Sequence, residues 1–361
     1  MNNSNTKIQG NTLKGQEIFI GLEDSKKSWK LCVRAFGTTV KEISIPADYN
    51  NLKNFISNHF PECKVTVIYE AGFSGFNLYD YITGEGWKCV VTPAHRVTQE
   101  KCQSVKNDRI DSRRLARVLE SGDYHSCFVP DRQTRENRQV SRLYEQNLKD
   151  IRQSCNRFRR LLEFHGLDRH FKSGRWNPRD YRYAWELCEE MNVSDSLRFS
   201  IEDMRIMIEL LWERKKRLIA QLKELSTSQP YKENVELLIS IPGIGWLTAI
   251  KFMLEIGTIT RFKRKEQFAK YLGLVPREYS SGERERKGHI TKEGSRWIRY
   301  WLVECSWIAI RNDPVLLDKY RRVLSHSGSS KKAIVAVARA LAIRIRSILI
   351  TKQKYVIGTV S

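Results

Sequence analysis

From Arg132 to His165 the chain runs without a proline or a glycine. Those are the two residues that most readily end a helix. Within the run, Val140, Leu143, Ile151, Phe158, Leu161 and Leu162 recur at helical spacings among Arg, Gln, Asn and Glu. The consequence is one long amphipathic helix, closed off on its N-terminal side by Pro130 and Asp131.

Before that helix, strand-like and helical patterns alternate from 17 to 130. EIFIGL, SWKLCVRAF, VKEISI, KVTVIYE, WKCVVT and SCFVP read as strands. NLKNFISNHF, GFNLYDYIT and DRIDSRRLARVLE read as helices. Three strands, then helix, strand, helix, strand and helix make the order of an α/β ribonuclease-H-like domain, although periodicity alone also fits other α/β folds. Residues 1–16 are polar, have no apolar stretch of the signal-peptide kind and are expected to be disordered.

After the long helix comes an aromatic stretch, SGRWNPRDYRYAW at 173–185, expected to be irregular. A second long helical pattern then runs from Ile201 to Leu225, with Met204, Met207, Ile208, Leu211, Leu218 and Leu222. The two helices form a coiled arm over 131–230, paired either within one chain or between chains. From 231 to 361 the chain is expected to be all-α. It begins with LLISIPGIGWLTA, in which Pro242-Gly243-Ile244-Gly245 has the look of a helix-hairpin-helix turn. There Gly243 and Gly245 would let backbone N–H groups approach phosphates; a plain tight turn is the alternative.

Charge narrows the partners. Lys and Arg number 63 against 41 acids, a formal +22, and the excess is spread along the chain. A polyanion is the expected partner, nucleic acid rather than membrane. The most apolar late segment, 331–350, is interrupted by Arg339, Arg344 and Arg346 and reads as an amphipathic helix, not a span. Eight scattered cysteines without a CxxC pair argue against a zinc site or a disulfide framework and for a reducing, cytoplasmic location.

Two groups of residues could carry chemistry. Glu23 or Asp24 ends the first strand, Glu70 ends KVTVIYE, and Asp108 and Asp111 share one face at the start of a helix. Taken singly, these acids could cap a helix or pair with a neighbour such as Arg114. Together, at the ends of central strands and on a facing helix, they offer hard oxygen ligands for Mg²⁺ or Mn²⁺. Alternation along the strand points Glu23 and Asp24 to opposite faces, so only one can join the set. The second group is YLGLVPREYSSGERERKGHITKEGSRW at 271–297, where a Ser-Ser-Gly turn lies among Arg284, Arg286, Lys292 and, just beyond, Arg299. Such a cationic setting suits phosphoryl transfer, although most Ser-Ser-Gly stretches are only turns.

The pieces YEAGFSGFNLYDYI, KNDRIDSRRLA, ISIPGIGWLTA, QFAKYLGLVPREYSSGE and GHITKEGSRWIRYWLVE resemble, in order and spacing, the DEDD transposases of the IS-one-ten and IS-eleven-eleven class of insertion sequences. The resemblance spans about 18 to 350. It implies a RuvC-like domain (17–130), a coiled-coil arm (131–230) and a C-terminal transposase domain (231–361) with a serine nucleophile. By the family's pattern that serine immediately precedes the glycine, which is Ser281. The first family acid lies two residues after a glycine, which is Glu23 in Gly21-Leu22-Glu23.

The resemblance further implies donor and target DNA as substrates and a structured bridge or seek RNA as guide. A homo-oligomer, dimer or tetramer, and a place at the bacterial nucleoid follow from the same likeness. Two rivals stand beside this reading. One is a metal-dependent junction-resolving nuclease in which water attacks; the other is a non-catalytic nucleic-acid-binding protein.

Overall fold

The structure, a computed structural model, describes residues 13–93, 108–170, 176, 178–191, 193–278 and 287–358. The chain divides into two compact units, residues 1–129 and 130–361.

In the first unit, runs rich in Val, Ile and aromatic residues form β1 (Glu17–Glu23), β2 (Ser28–Ala35), β3 (Thr38–Pro46), β4 (Lys64–Glu70) and β5 (Lys88–Thr92). They make one sheet of order β3-β2-β1-β4-β5. β1, β2 and β3 are antiparallel neighbours, whereas β4 and β5 extend the sheet from β1 in parallel. Strand alternation places Ile18, Ile20, Leu22, Val67 and Tyr69 on one face. They are buried with α1 (Tyr49–His59) through Leu52 and Ile56 and with α2 (Asn77–Gly84) through Leu78 and Ile82.

The opposite face takes α3 (Asp108–Ser121). Ile68, Leu115 and Leu119 are buried there, with Phe19, Val90 and Val118 packed around them. Gly21 permits this approach, because a Cβ at that position would stand 2.1 Å from the Ser112 carbonyl oxygen and 2.4 Å from the Ala116 nitrogen. The far end of α3 is tied down by Glu120, whose carboxylate accepts from Arg34 Nε at 2.6 Å and from the Gly37 N–H at 2.7 Å. The strand expected at 126–130 does not form. The Cys127 N–H reaches the Val91 carbonyl at 2.6 Å, but Pro130 has no N–H to continue a ladder and Asp131 already caps the next helix.

In the second unit, α4 (Arg132–Phe164) and α6 (Asp195–Thr227) are both 33 residues long. They pack antiparallel within one chain. Phe158 and Ile201 share a core at one end, Tyr144 and Leu222 at the other, and midway Asn147 Nδ2 donates to the Leu211 carbonyl at 2.9 Å. Leu143 and Met207, read from spacing as part of the apolar stripe, face solvent instead. α5 (Pro178–Glu190) begins within the stretch expected to be irregular and runs beyond it. Pro178 opens the helix, where a preset φ and a missing N–H cost nothing, and Tyr181, Ala184 and Cys188 bury one face.

Tyr144 and Leu222 belong to the same core as the C-terminal helices, so one end of the hairpin is built into that bundle. The bundle comprises α7 (Lys232–Ile239), α8 (Trp246–Ile256), α9 (Lys265–Tyr271), α10 (Arg296–Asn312), α11 (Pro314–Ser327) and α12 (Ser330–Thr351). It is not all-α. β6 (Pro276–Glu278) and β7 (Lys287–Ile290) form a two-stranded antiparallel ribbon, begun where Gly273 and Pro276 stop α9 from continuing. Among the described residues no helix is long and apolar enough to cross a membrane, and Arg344 of α12 is buried against Asp313 at 2.9 Å.

Candidate active site

β1 and β4 are parallel neighbours that end side by side on Glu23 and Glu70. Phe19 and Gly21 face α3, so the next residue of that alternation, Glu23, lies on the same face. On β4, Ile68 faces α3, so Glu70 does too. The parallel register pairs Leu22 with Tyr69, which leaves Glu23 and Glu70 as the succeeding residues of neighbouring strands. From α3, Arg114 Nη2 lies 3.3 Å from Glu70 Oε1 and 3.1 Å from Asp111 Oδ1. One guanidinium thus joins a strand-end carboxylate to the carboxylate one helical turn before it. Arg114, Glu70 and Asp111 are all mostly buried.

Asp24 takes a different place. Its Oδ2 accepts the Ser74 N–H at 2.7 Å and its Oδ1 accepts the Ser74 hydroxyl at 2.8 Å. The same loop is held by the Tyr69 hydroxyl, which donates to the Gly75 carbonyl at 2.8 Å. Burial raises the Tyr69 phenol well above its ordinary value, so it stays a donor. Asp24 therefore anchors the AGFSG loop. Lys26 lies 5.1 Å over the exposed ring of Phe73 in that loop.

Asp108 begins α3, but its side chain lies outside the described residues. Among the described residues no three His, Cys, Asp or Glu groups come close enough together to hold a metal ion. The expected four-carboxylate cluster is therefore represented by Glu70 and Asp111 about one cation, Arg114, with Glu23 on the same sheet face. The donor set is nonetheless the hard, all-oxygen type that Mg²⁺ or Mn²⁺ takes, and two of its members already converge on a positive group. Their chemistry suits a divalent cation, although the described residues do not assemble a site for one.

Ser281, Arg284 and Arg286 lie outside the described residues, in the connection between β6 and β7. The root of that ribbon is described and tight. A Cβ on Gly273 would meet the Glu293 carbonyl oxygen at 2.3 Å, and one on Gly294 the Tyr271 carbonyl oxygen at 2.1 Å. Thr291 N–H donates to the Val275 carbonyl at 2.9 Å, and Lys292 N–H to the Gly273 carbonyl at 3.2 Å. Arg299 Nη1 closes the crossing by donating to the carbonyls of Leu272, Glu293 and Gly294 at 3.2, 2.6 and 3.2 Å. Burial lowers its pKa from the ordinary arginine value. Arg299, read from sequence as a nucleic-acid contact, here ties the ribbon to α10; Lys292 is exposed at a positive φ of 58°.

Gly243 also has a packing reason. With φ at 91°, it lies so close to α10 that a Cβ would meet the Cys305 carbonyl oxygen at 2.7 Å. Gly245 is the N-cap of α8. The sequence offered Arg114 as a partner for Asp111, but not its bridge to Glu70 nor the anchoring of Asp24 by Ser74. The i, i+3 spacing of Asp111 and Arg114 was the signal for their pairing; nothing local marked the other two.

Two family models match the chain. A DEDD transposase model of the IS110 group covers residues 20–166, and the model described as "Transposase IS116/IS110/IS902 family" covers residues 235–321. Among curated relatives, the protein y4qE of Sinorhizobium fredii is 27% identical over 299 residues, covering 76% of this chain and 72% of its own. The transposase for insertion sequence element IS1111A of Coxiella burnetii is 24% identical over 275 residues, covering 74% and 73%. The transposase for insertion sequence element IS1533 of Leptospira borgpetersenii is 22% identical over 250 residues, covering 67% and 70%.

Proposed function

We propose that this chain, which matches IS110-type DEDD transposase models over residues 20–166 and 235–321, cuts and rejoins donor and target DNA through a covalent serine linkage, guided by a structured RNA. The observation that carries the reading is the convergence of Glu70 and Asp111 on one cationic group beside the strand end bearing Glu23. The strand order β3-β2-β1-β4-β5, with the first three antiparallel and the last two parallel, supports a RuvC-like, ribonuclease-H-like unit.

Glu23, Glu70, Asp108 and Asp111 would hold the divalent cation. When bound, it withdraws charge from the scissile phosphate. The carboxylates would fix its place, and Arg114 holds Glu70 and Asp111 to each other. Ser281 Oγ attacks phosphorus, the Oγ–P bond forms as the P–O3′ bond breaks, and the serine proton passes to solvent while the 3′-oxygen takes one up. The ester so formed keeps the bond energy, and a second 3′-hydroxyl rejoins the strand by the reverse step. The clamped root of the β6–β7 ribbon supports this role, since a nucleophile must be presented from a fixed base.

The net charge of +22 supports RNA and DNA as partners and work at the bacterial nucleoid in the cytoplasm. Phe199, Ile206, Met207 and Leu210 are exposed apolar residues along α6, which supports assembly with further copies of the chain. The test is strand exchange by full-length protein with its copurifying RNA, donor and target DNA and Mg²⁺. Recombinant joints are expected; hydrolysed ends alone point to the nuclease, and neither product to a binding protein.

A further inference from the structure

The antiparallel helices carry a cavity of about 580 Å³ that none of the assigned chemistry uses. Arg152, Asn156 and Arg159 reach it from one face of α4, spaced i, i+4 and i+7, and Trp212 and Lys215 from one face of α6 at i and i+3. Trp176, in the connection between α4 and α5, closes another side. The ring of Trp176 lies 5.0 Å from the Arg159 guanidinium, and the ring of Trp212 lies 4.4 Å from Lys215 Nζ. Each tryptophan wall therefore comes with a cation beside it. None of the lining residues is an acid.

We infer that this cavity receives an unpaired nucleotide of a polynucleotide strand, the base against the aromatic walls and its phosphate at Arg152 and Lys215. The volume is in the range of small-ligand sites. Unstacked bases bind by stacking on aromatic rings and guanidinium planes, and their phosphates by neighbouring cations. A duplex cannot offer this without extruding a base, so the site selects single-stranded or bulged segments. The polar Asn156 at the rim and the absence of lining carboxylates set the cavity apart from a purely apolar pocket, which would favour a protein side chain. The inference rests on the reading of this basic chain as a polynucleotide-binding protein.

The experiment uses full-length protein, fluorescent 12-nucleotide oligouridine and oligothymidine, and a blunt duplex of equal length. Asn156 is exposed, so Asn156→Trp fills the mouth without changing charge or core; Trp212→Ala removes one wall. Thermal melting establishes that both variants fold. Each variant is expected to bind the single strands about tenfold more weakly or worse, with the duplex affected less than twofold. Oligouridine and oligothymidine weakened alike mean that the base alone is read; oligouridine weakened more means that the 2′-hydroxyl is read as well. Single-strand affinity unchanged in Asn156→Trp, or displacement of the oligomers by polyglutamate at equal charge in wild type, would overturn the pocket while leaving the transposase reading in place. Failure of wild type to bind any of the three would overturn both.

Discussion

Asp24 is hydrogen-bonded through both carboxylate oxygens to Ser74, to its N–H at 2.7 Å and its hydroxyl at 2.8 Å. Of the two adjacent acids at the end of β1, Asp24 is thus taken up by the loop after β4. Glu23→Gln is expected to reduce strand exchange by roughly 10²-fold or more, as losses of groups that stabilise transition-state charge do. Asp24→Asn loosens the loop after β4, and a loss under about tenfold is expected, with a lowered melting temperature. Parallel exchange assays and melting curves check the pair; the reverse order of severity would show that Asp24 is the ligand.

Arg114 pairs with both Glu70 and Asp111, so if these carboxylates hold a divalent cation, as proposed, its charge competes with that cation. In Arg114→Ala the two carboxylates face each other without it. Without metal the variant is expected to be about 1 kcal/mol less stable. Mn²⁺ should raise its melting temperature more than that of wild type, because ligand binding stabilises the folded state. Melting scans across a Mn²⁺ series read this without any activity assay.

Much of this was legible before the structure. The strands of the first unit and both long helices were marked by Val- and Ile-rich runs and by the Pro- and Gly-free stretch, because local periodicity reports burial directly. α5 was hidden, since Tyr181, Ala184 and Cys188 sit among so many Arg and aromatic residues that the apolar stripe is diluted. The positions of Arg299 and Gly243 were illegible for another reason. Both depend on backbone carbonyls brought in by distant segments, Leu272 and Glu293 for one and Cys305 for the other. Alternation along a strand was enough to put Glu23 and Asp24 on opposite faces without tertiary information, whereas the choice of Glu23 came from the glycine-to-acid spacing of the resemblance.

Gly243→Ala separates packing from nucleic-acid contact. The added methyl meets the Cys305 carbonyl oxygen at 2.7 Å, at a φ of 91° that alanine resists. A destabilisation of about 1–3 kcal/mol is expected, measurable by urea unfolding without DNA. Full stability with weakened DNA binding would show that Gly243 acts through phosphate contact instead.

Asp313 makes the C-terminal bundle sensitive to acid. Burial pushes its carboxyl up, but hydrogen bonds from Tyr355 and the Leu316 N–H and the charge of Arg344 outweigh this, leaving the pKa below the ordinary 3.8. A carboxyl lower in the folded than in the unfolded state binds fewer protons when folded. Its stabilisation is fully present above pH 3.8 and is lost as pH falls through the folded value. Asp313→Asn should flatten that acid limb, and Asp313→Ala, which strands buried Arg344, should cost about 3–5 kcal/mol at neutral pH. Unfolding curves at several pH values test both.

If Ser281 takes the phosphoryl group with the help of the carboxylates facing α3, the linkage can be caught by incubating full-length protein, copurified RNA and donor DNA with Mg²⁺ and mapping the residue linked to a 5′-phosphate by mass spectrometry. The expected result is an adduct on Ser281 that disappears with EDTA and in Glu23→Gln. DNA cleaved with no adduct on any serine, or an adduct that persists undiminished in Ser281→Ala, would contradict it.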